Sequence, residues 1–487
     1  MIATISLPEV DAAFDPATGT HTPSADSAVL EGVPYVWQEI NGFCAWAATS
    51  IVMQYEGAPL DLHDIFAVSG VGFSFAYYQR NDTLLIFPGA IYQQIDPVVF
   101  MTDLYGLNYT IYFSSEISGV DEQVAYLEGR GINVGLIDSE LDAFALMRRS
   151  IDAGHPLLVS VDPAWLPASD YDYLKQQGLT GGGHGVVVVG YNESAGVAWI
   201  NDPGVGSFGD SFGYPYDGRG NYSQISYTNL NLAWASRYYV TILIEPYPEG
   251  SGIGPVEDKA SLIGPRTRDL LLGVGQTYAP GLASAYLLSY GEKGFRDLGA
   301  DVLPDALSSY LSVFDGIESE VLFKAALLKV IGLGIEAQVT LQYLSYRAAL
   351  ERLPAYLPGF DLSLFLEDAN EALPHFEALS DNDTLVYPGN MTLATGLSSQ
   401  VFGDIADLYN STGDVATALQ TYADGLEMVS SHLTGIADSW LAAGNALAVI
   451  WPSSPLVIYG PYLVVAAIGV AALVLIGIRA VRKTPSS

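Results

Sequence analysis

QEINGFCAWAATSIVMQY, residues 38–55, is the stretch on which the reading of this chain turns. Gly42 ends a turn, and Ala45, Ala48, Ile51, Val52 and Tyr55 then recur at spacings of three and four. That spacing predicts a helix with one apolar face, beginning at or beside Cys44. A thiol at a helix N-terminus feels the positive end of the macrodipole, which favours thiolate. Gln38 lies across the turn, where its amide can join the Cys44 backbone N–H in facing a developing oxyanion. Cys44 is the single cysteine, so no intramolecular disulfide forms. An unpaired cysteine is ordinarily a small buried apolar residue. A chemical role for it therefore needs partners elsewhere in the chain.

GGGHGVVVVGY, residues 181–191, supplies the first of them. The valine run bounded by glycines predicts a buried strand with His184 at its entrance. A turn at residues 192–196 and the segment VAWINDP, residues 197–203, complete a β-hairpin. A residue closing the second strand lies beside the residue opening the first. Asp202 or Asn201 can thus accept the His184 ring N–H and aim the other nitrogen at the thiol. Both residues are candidates on this reading.

Gln-x5-Cys opening a helix, His before a valine-rich strand and Asn-Asp-Pro closing the next strand resemble the C39-like peptidases of the papain-like superfamily. The upstream IDAGHPLLVSV, residues 151–161, is similar to the helix end and strand that precede the histidine there. The resemblance covers roughly residues 30–245. It implies Cys44 as nucleophile, His184 as base, Asp202 as orienting acid and Gln38 as oxyanion residue, with Asn201 the alternative orienter because papain itself uses an asparagine. It implies a peptide or protein substrate, no cofactor and no metal. The path from Cys44 to His184 is longer than is usual in the family, which points to an insertion within residues 60–135. Its Phe73, Phe75, Tyr77, Tyr78 and Tyr92 either line a substrate cleft or form core. The transporter parts of the family's bacteriocin-processing members are missing, so that substrate class does not carry over.

The rest of the chain sets the context. Its 487 residues suggest two or three domains. With 54 acidic against 19 basic residues the net charge is −35, which repels phosphate backbones and argues against nucleic acid. His63 beside Asp61 and Asp64 lacks the spacing of a metal-ligand set. Residues 246–266 are rich in Pro and Gly and read as a linker. From 267 to 450 apolar residues recur at helical spacing, predicting an all-α domain, a bundle or stalk.

Residues 439–478 carry no charged side chain. Within them, 456–478 is long enough to cross a bilayer as a helix, so membrane lipid is an expected partner. Arg479, Arg482 and Lys483 follow in the short tail 479–487, marking that side as cytoplasmic. Sequons at Asn81, Asn108, Asn192, Asn221, Asn382, Asn390 and Asn410 place the main domains outside, as a glycoprotein. Residues 1–29 form an N-terminal extension without a basic n-region or apolar h-region. The expected fold is α+β: a papain-like peptidase domain, a helical domain and a C-terminal single-pass transmembrane helix. The expected function is a membrane-anchored cysteine peptidase. The alternative is an inactive papain-like domain in an envelope binding protein, which a His184 ring far from the sulfur would favour.

Overall fold

The computed structural model describes residues 26–80, 83–88, 96–129, 131–205, 220–274, 287–380 and 396–452. The architecture is mixed α+β, with the strands concentrated in the N-terminal part and helices dominating the C-terminal part. The described strands are β1 (Ser27–Val29), β2 (Phe75–Arg80), β3 (Thr83–Pro88), β4 (Leu107–Ser114), β5 (Asn133–Ile137), β6 (Leu157–Val161), β7 (His184–Asn192), β8 (Val197–Asn201), β9 (Ser223–Ser226), β10 (Thr241–Pro246) and β11 (Leu287–Tyr290). The helices among the strands up to β10 are α1 (Cys44–Tyr55), α2 (Leu62–Val68), α3 (Pro97–Tyr105), α4 (Val120–Glu128), α5 (Glu140–Asp152), α6 (Asp172–Gln176) and α7 (Tyr227–Ala235).

The main sheet runs β5-β4-β10-β6-β7-β8-β9, and only the β4–β5 pair in it is parallel. Its centre is β7. β6 pairs with its first half, His184 to Val188, and β1 takes over along Gly190 to Asn192. Val186, Val187, Val188 and Val189 are fully buried because sheet neighbours and α1 enclose them. Each such valine contributes on the order of 1.5–3 kcal/mol of burial, before chain entropy is set against it. Helix α1 lays Ala47, Ala48, Ile51 and Val52 on this core; of the face expected from its spacing, Ala48, Ile51 and Val52 are buried, Tyr55 is half-buried and Ala45 is exposed. The sheet and this helix fix the positions of His184 and Cys44 relative to each other.

The insertion reads differently once its covering is seen. β4 and β5 belong to the main sheet, whereas β2 and β3 form a hairpin in a second sheet. Its third strand, β11, comes from the C-terminal half. Phe73, Phe75, Tyr77 and Tyr78 are all buried, so these aromatics are core rather than cleft. Phe75 stacks on Phe295 at 3.6 Å, and Phe73 meets Tyr346 edge-on at 5.7 Å. Tyr92 lies outside the described residues.

The C-terminal half holds α8 (Ala260–Leu271), α9 (Gly291–Asp301), α10 (Pro304–Ser312), α11 (Glu320–Tyr356), α12 (Ser363–Asn370), α13 (Ala372–Leu379), α14 (Leu397–Thr412), α15 (Val415–Thr421) and α16 (Ala423–Ile450). Two sequence boundaries shift. Helix α8 begins inside the stretch read as linker, and the supposedly all-α part contributes strand β11. A stalk is not what these helices form. α11 packs against α2 and the 71–73 turn, where Gly72 is needed because a Cβ there would lie 2.4 Å from Ala349. Gln342 donates to the Gly72 carbonyl at 2.6 Å from inside this contact.

One described helix, α16, is long and apolar enough to cross a membrane. Its Trp440, however, is buried among Phe295, Tyr346 and Phe376, which is the setting of a core helix. The apolar stretch 456–478 and the basic tail lie outside the described residues. Among the sequons, Asn221 and Asn410 are exposed. Asn108 sits within β4 with its amide donating to Glu245 at 3.2 Å.

Candidate active site

Cys44 is the first residue of α1, preceded by Phe43 in the cap position without a side-chain cap bond. No acidic residue occupies the first turn, so the positive end of the helix is left to the thiol. The turn before it is bent twice. Gly42 has φ 107°, a conformation in which glycine is at home, and Glu39 has φ 63° despite its side chain. A non-glycine residue held in that region costs about 1–3 kcal/mol, which the surroundings must offset. Glu39 reaches His63 of α2 at 3.0 Å.

His184 opens β7, and the glycine after it permits the contact with the helix. A Cβ on Gly185 would stand 3.3 Å from the Ala45 Cα. The strand therefore comes close enough for the His184 ring to hydrogen-bond the Cys44 thiol. The Gly-rich run before His184 is anchored from both sides. Gly181 donates to Asp162 at 2.5 Å, and buried Arg237 donates to the Gly181 carbonyl at 3.1 Å.

Asp202 follows the last residue of β8 and is fully buried. His184 Nε2 lies 2.7 Å from Asp202 Oδ1, which leaves Nδ1 for the thiol. Asp202 also accepts the Gly204 N–H at 2.9 Å and the Tyr171 hydroxyl at 3.0 and 3.1 Å. The electrostatics follow from this arrangement. Burial alone would depress the His184 pKa, but the Asp202 carboxylate and then Cys44 outweigh it and hold it at about 10. Burial alone would raise the Cys44 pKa, but the hydrogen bond and charge of His184 reverse the sign and lower it. Between those two titrations the stable form is thiolate beside imidazolium.

Asn201 does not face the histidine. Its Oδ1 accepts the Tyr222 N–H at 2.7 Å and its Nδ2 donates to the Pro34 carbonyl at 3.1 Å, clamping two loops. Gln38 is buried, and its backbone N–H donates to the Pro203 carbonyl at 3.0 Å. Its side-chain Nε2 donates to Asn41 at 3.2 Å, leaving that nitrogen a second hydrogen. Thus the Asn-Asp-Pro loop positions both Asp202 and the backbone of Gln38. The structure brings Cys44, His184 and Asp202 together, sets Gln38 on the same turn as Cys44, and turns Asn201 away.

Tyr171 was not legible as a site residue. Its hydroxyl lies 3.1 Å from His184 Nε2 as well as on Asp202, yet it comes from a short 3-10 turn with no periodic or motif signal. Among the described residues no group of three or more His, Cys, Asp or Glu is placed to hold a metal ion. His63, weighed with Asp61 and Asp64 on sequence, is instead paired with Glu39, while those two aspartates form the capping box of α2.

Residues 30–231 match the model of the Peptidase_C39 like family, a segment that starts after β1 and ends within α7, leaving out β10 and all the C-terminal helices. No curated protein matches the chain.

Proposed function

We propose that the chain is a cysteine peptidase, anchored to a membrane through residues 456–478, that hydrolyses peptide bonds through Cys44, His184 and Asp202. The observation that supports it most is the line from buried Asp202 and His184 to half-buried Cys44, with the 2.7 Å carboxylate–imidazole bond at one end and a thiol at a helix N-terminus at the other. On this reading the Cys44 thiolate attacks the carbonyl carbon and the C=O π electrons move onto oxygen. That oxyanion faces the Gln38 amide and the Cys44 N–H, a backbone group at the helix start with no intrahelical acceptor. The His184 imidazolium then gives its proton to the leaving amine as the C–N bond breaks. Water, losing a proton to His184, attacks the thioester, and collapse of the adduct frees the acid and Cys44.

The rate of Cys44 alkylation by iodoacetamide against pH tests the ion pair without needing the substrate. In the full chain, alkylation is expected to persist well below the free-thiol pKa of about 8.5. That low-pH limb is expected to vanish in His184→Ala. Reaction only above the free-thiol range, alike in both proteins, would sink the catalytic reading. For the oxyanion role, Gln38→Ala is expected to lower kcat by about 10²–10³-fold while leaving the low-pH alkylation limb in place. Loss of both together would assign Gln38 to folding instead. Resistance of the full chain to carbonate extraction, lost on deleting 453–487, tests the anchor.

A further inference from the structure

The turn that carries Gln38 and Cys44 is supported from behind by α11, which lies beyond the family match, and by α2, which lies within it. At Gly42 the turn meets α11 so closely that a Cβ would lie 2.8 Å from the Leu341 Cδ2. At Glu39 it is tied to His63 of α2 at 3.0 Å. Helix α2 is tied in turn to α11, where Arg352 reaches Asp61 at 2.8 Å and Asp64 at 3.8 Å. The space between these three elements is not filled. A cleft of about 110 Å³, partly open to solvent, remains between Ile40 and Phe43 of the turn, Phe66 of α2 and Leu344 of α11. A turn with a left-handed glutamate and a cleft behind it has room to relax. The contacts across the cleft oppose that relaxation.

Resting on the peptidase reading above, we infer that Leu341 of α11 and the Glu39–His63 pair hold the 38–44 turn in its oxyanion-binding shape. These are positioning residues, since they act through Gln38 and the Cys44 N–H rather than on the substrate. Helices α11 and α2 together are then a built-in brace for catalysis.

The brace carries a pH signature. The Glu39 hydrogen bond raises the His63 pKa above its ordinary value; burial works the other way, Asp61 reinforces it and Arg352 opposes it. Asp64 of α2 and Arg347 and Glu351 of α11 are the other charged groups around that space. A raised histidine pKa means the pair is charged and closed below that pKa, and opens as pH rises through it.

Two probes separate the brace from the ion pair. Iodoacetamide reads the thiolate by a displacement that forms no oxyanion. The small aldehyde N-acetylglycinal forms a hemithioacetal whose oxygen sits where the oxyanion does. In full-length His63→Gln, aldehyde affinity is expected to fall about tenfold, while the iodoacetamide rate near pH 6 stays within about twofold. His63→Arg is expected to restore the affinity and remove its decline on the alkaline side, because the positive charge no longer titrates. Leu341→Ala is expected to give the same split between probes. Unchanged aldehyde affinity in His63→Gln, parallel loss of both probes, or no rescue by arginine overturns the inference while leaving the peptidase reading intact. A wild-type Cys44 that alkylates only above the free-thiol range overturns both.

Discussion

Cys44→Ala is expected to lower peptide hydrolysis by at least about 10⁴-fold, because no other group in the site can form the acyl intermediate. Dye-labelled casein as a general substrate and a thermal melt of the same protein form the test. The melt matters because Cys44 sits at the start of α1 rather than in its buried stretch, so the substitution leaves Ala47, Ala48 and Ile51 packed as before. The His184–Asp202 bond also survives it. Full loss of turnover with a nearly unchanged melting temperature is therefore the expected pattern. Residual hydrolysis within about tenfold of the native rate would show that the chemistry lies elsewhere.

Asp202 answers for more of the structure, and its two substitutions are expected to part company. Asp202→Ala strips the buried His184 of its carboxylate and removes the acceptor of both Tyr171 and Gly204. Breaking a buried pair on one side costs about 3–5 kcal/mol, so a marked fall in melting temperature is expected. Asp202→Asn keeps the shape but loses the charge. A drop of about 10³–10⁴-fold in kcat is expected, since the amide no longer fixes the tautomer or stabilises the imidazolium. The pH profile then moves in a definite direction. With the carboxylate present the His184 pKa is held at about 10, so the alkaline limb of activity lies there. Without it only Cys44 still opposes burial, and that limb moves down. An alkaline limb that stays in place in Asp202→Asn would remove Asp202 from the pair.

The candidate site's residues were readable because each sits on a local signal. Cys44 marks a helix start, His184 the entry of a glycine-bounded valine run, and Asp202 the close of the following strand. Choosing between Asn201 and Asp202 needed the structure, since neighbours at a strand end point in opposite directions and only the fold says which way is inward. Tyr171 was out of reach for a related reason. Its bonds to His184 and Asp202 come from a turn whose path no periodicity describes. The fold outside the site was less legible. Helical spacing in residues 320–356 says that apolar side chains recur but not what they cover, and the structure sets this helix against α14 as well as against α2 and the aromatic insertion. Four residues, Leu287–Tyr290, were too few to show a strand against a helical background.

Strand β11 has a consequence for how the protein is made. It pairs Leu287 with Gln79 and Tyr290 with Ala76, joining points about two hundred residues apart. Contacts of such long sequence separation form late, because the loop between them must first be closed. A chain emerging from the ribosome completes its main sheet when β10 appears, yet the second sheet still waits for β11 and the turn before Cys44 for Leu341. The thiol and its imidazole are thus assembled well before the turn beside them is secured. On the peptidase reading proposed above, a chain halted between β10 and α11 is expected to hold its nucleophile beside a turn that nothing yet secures.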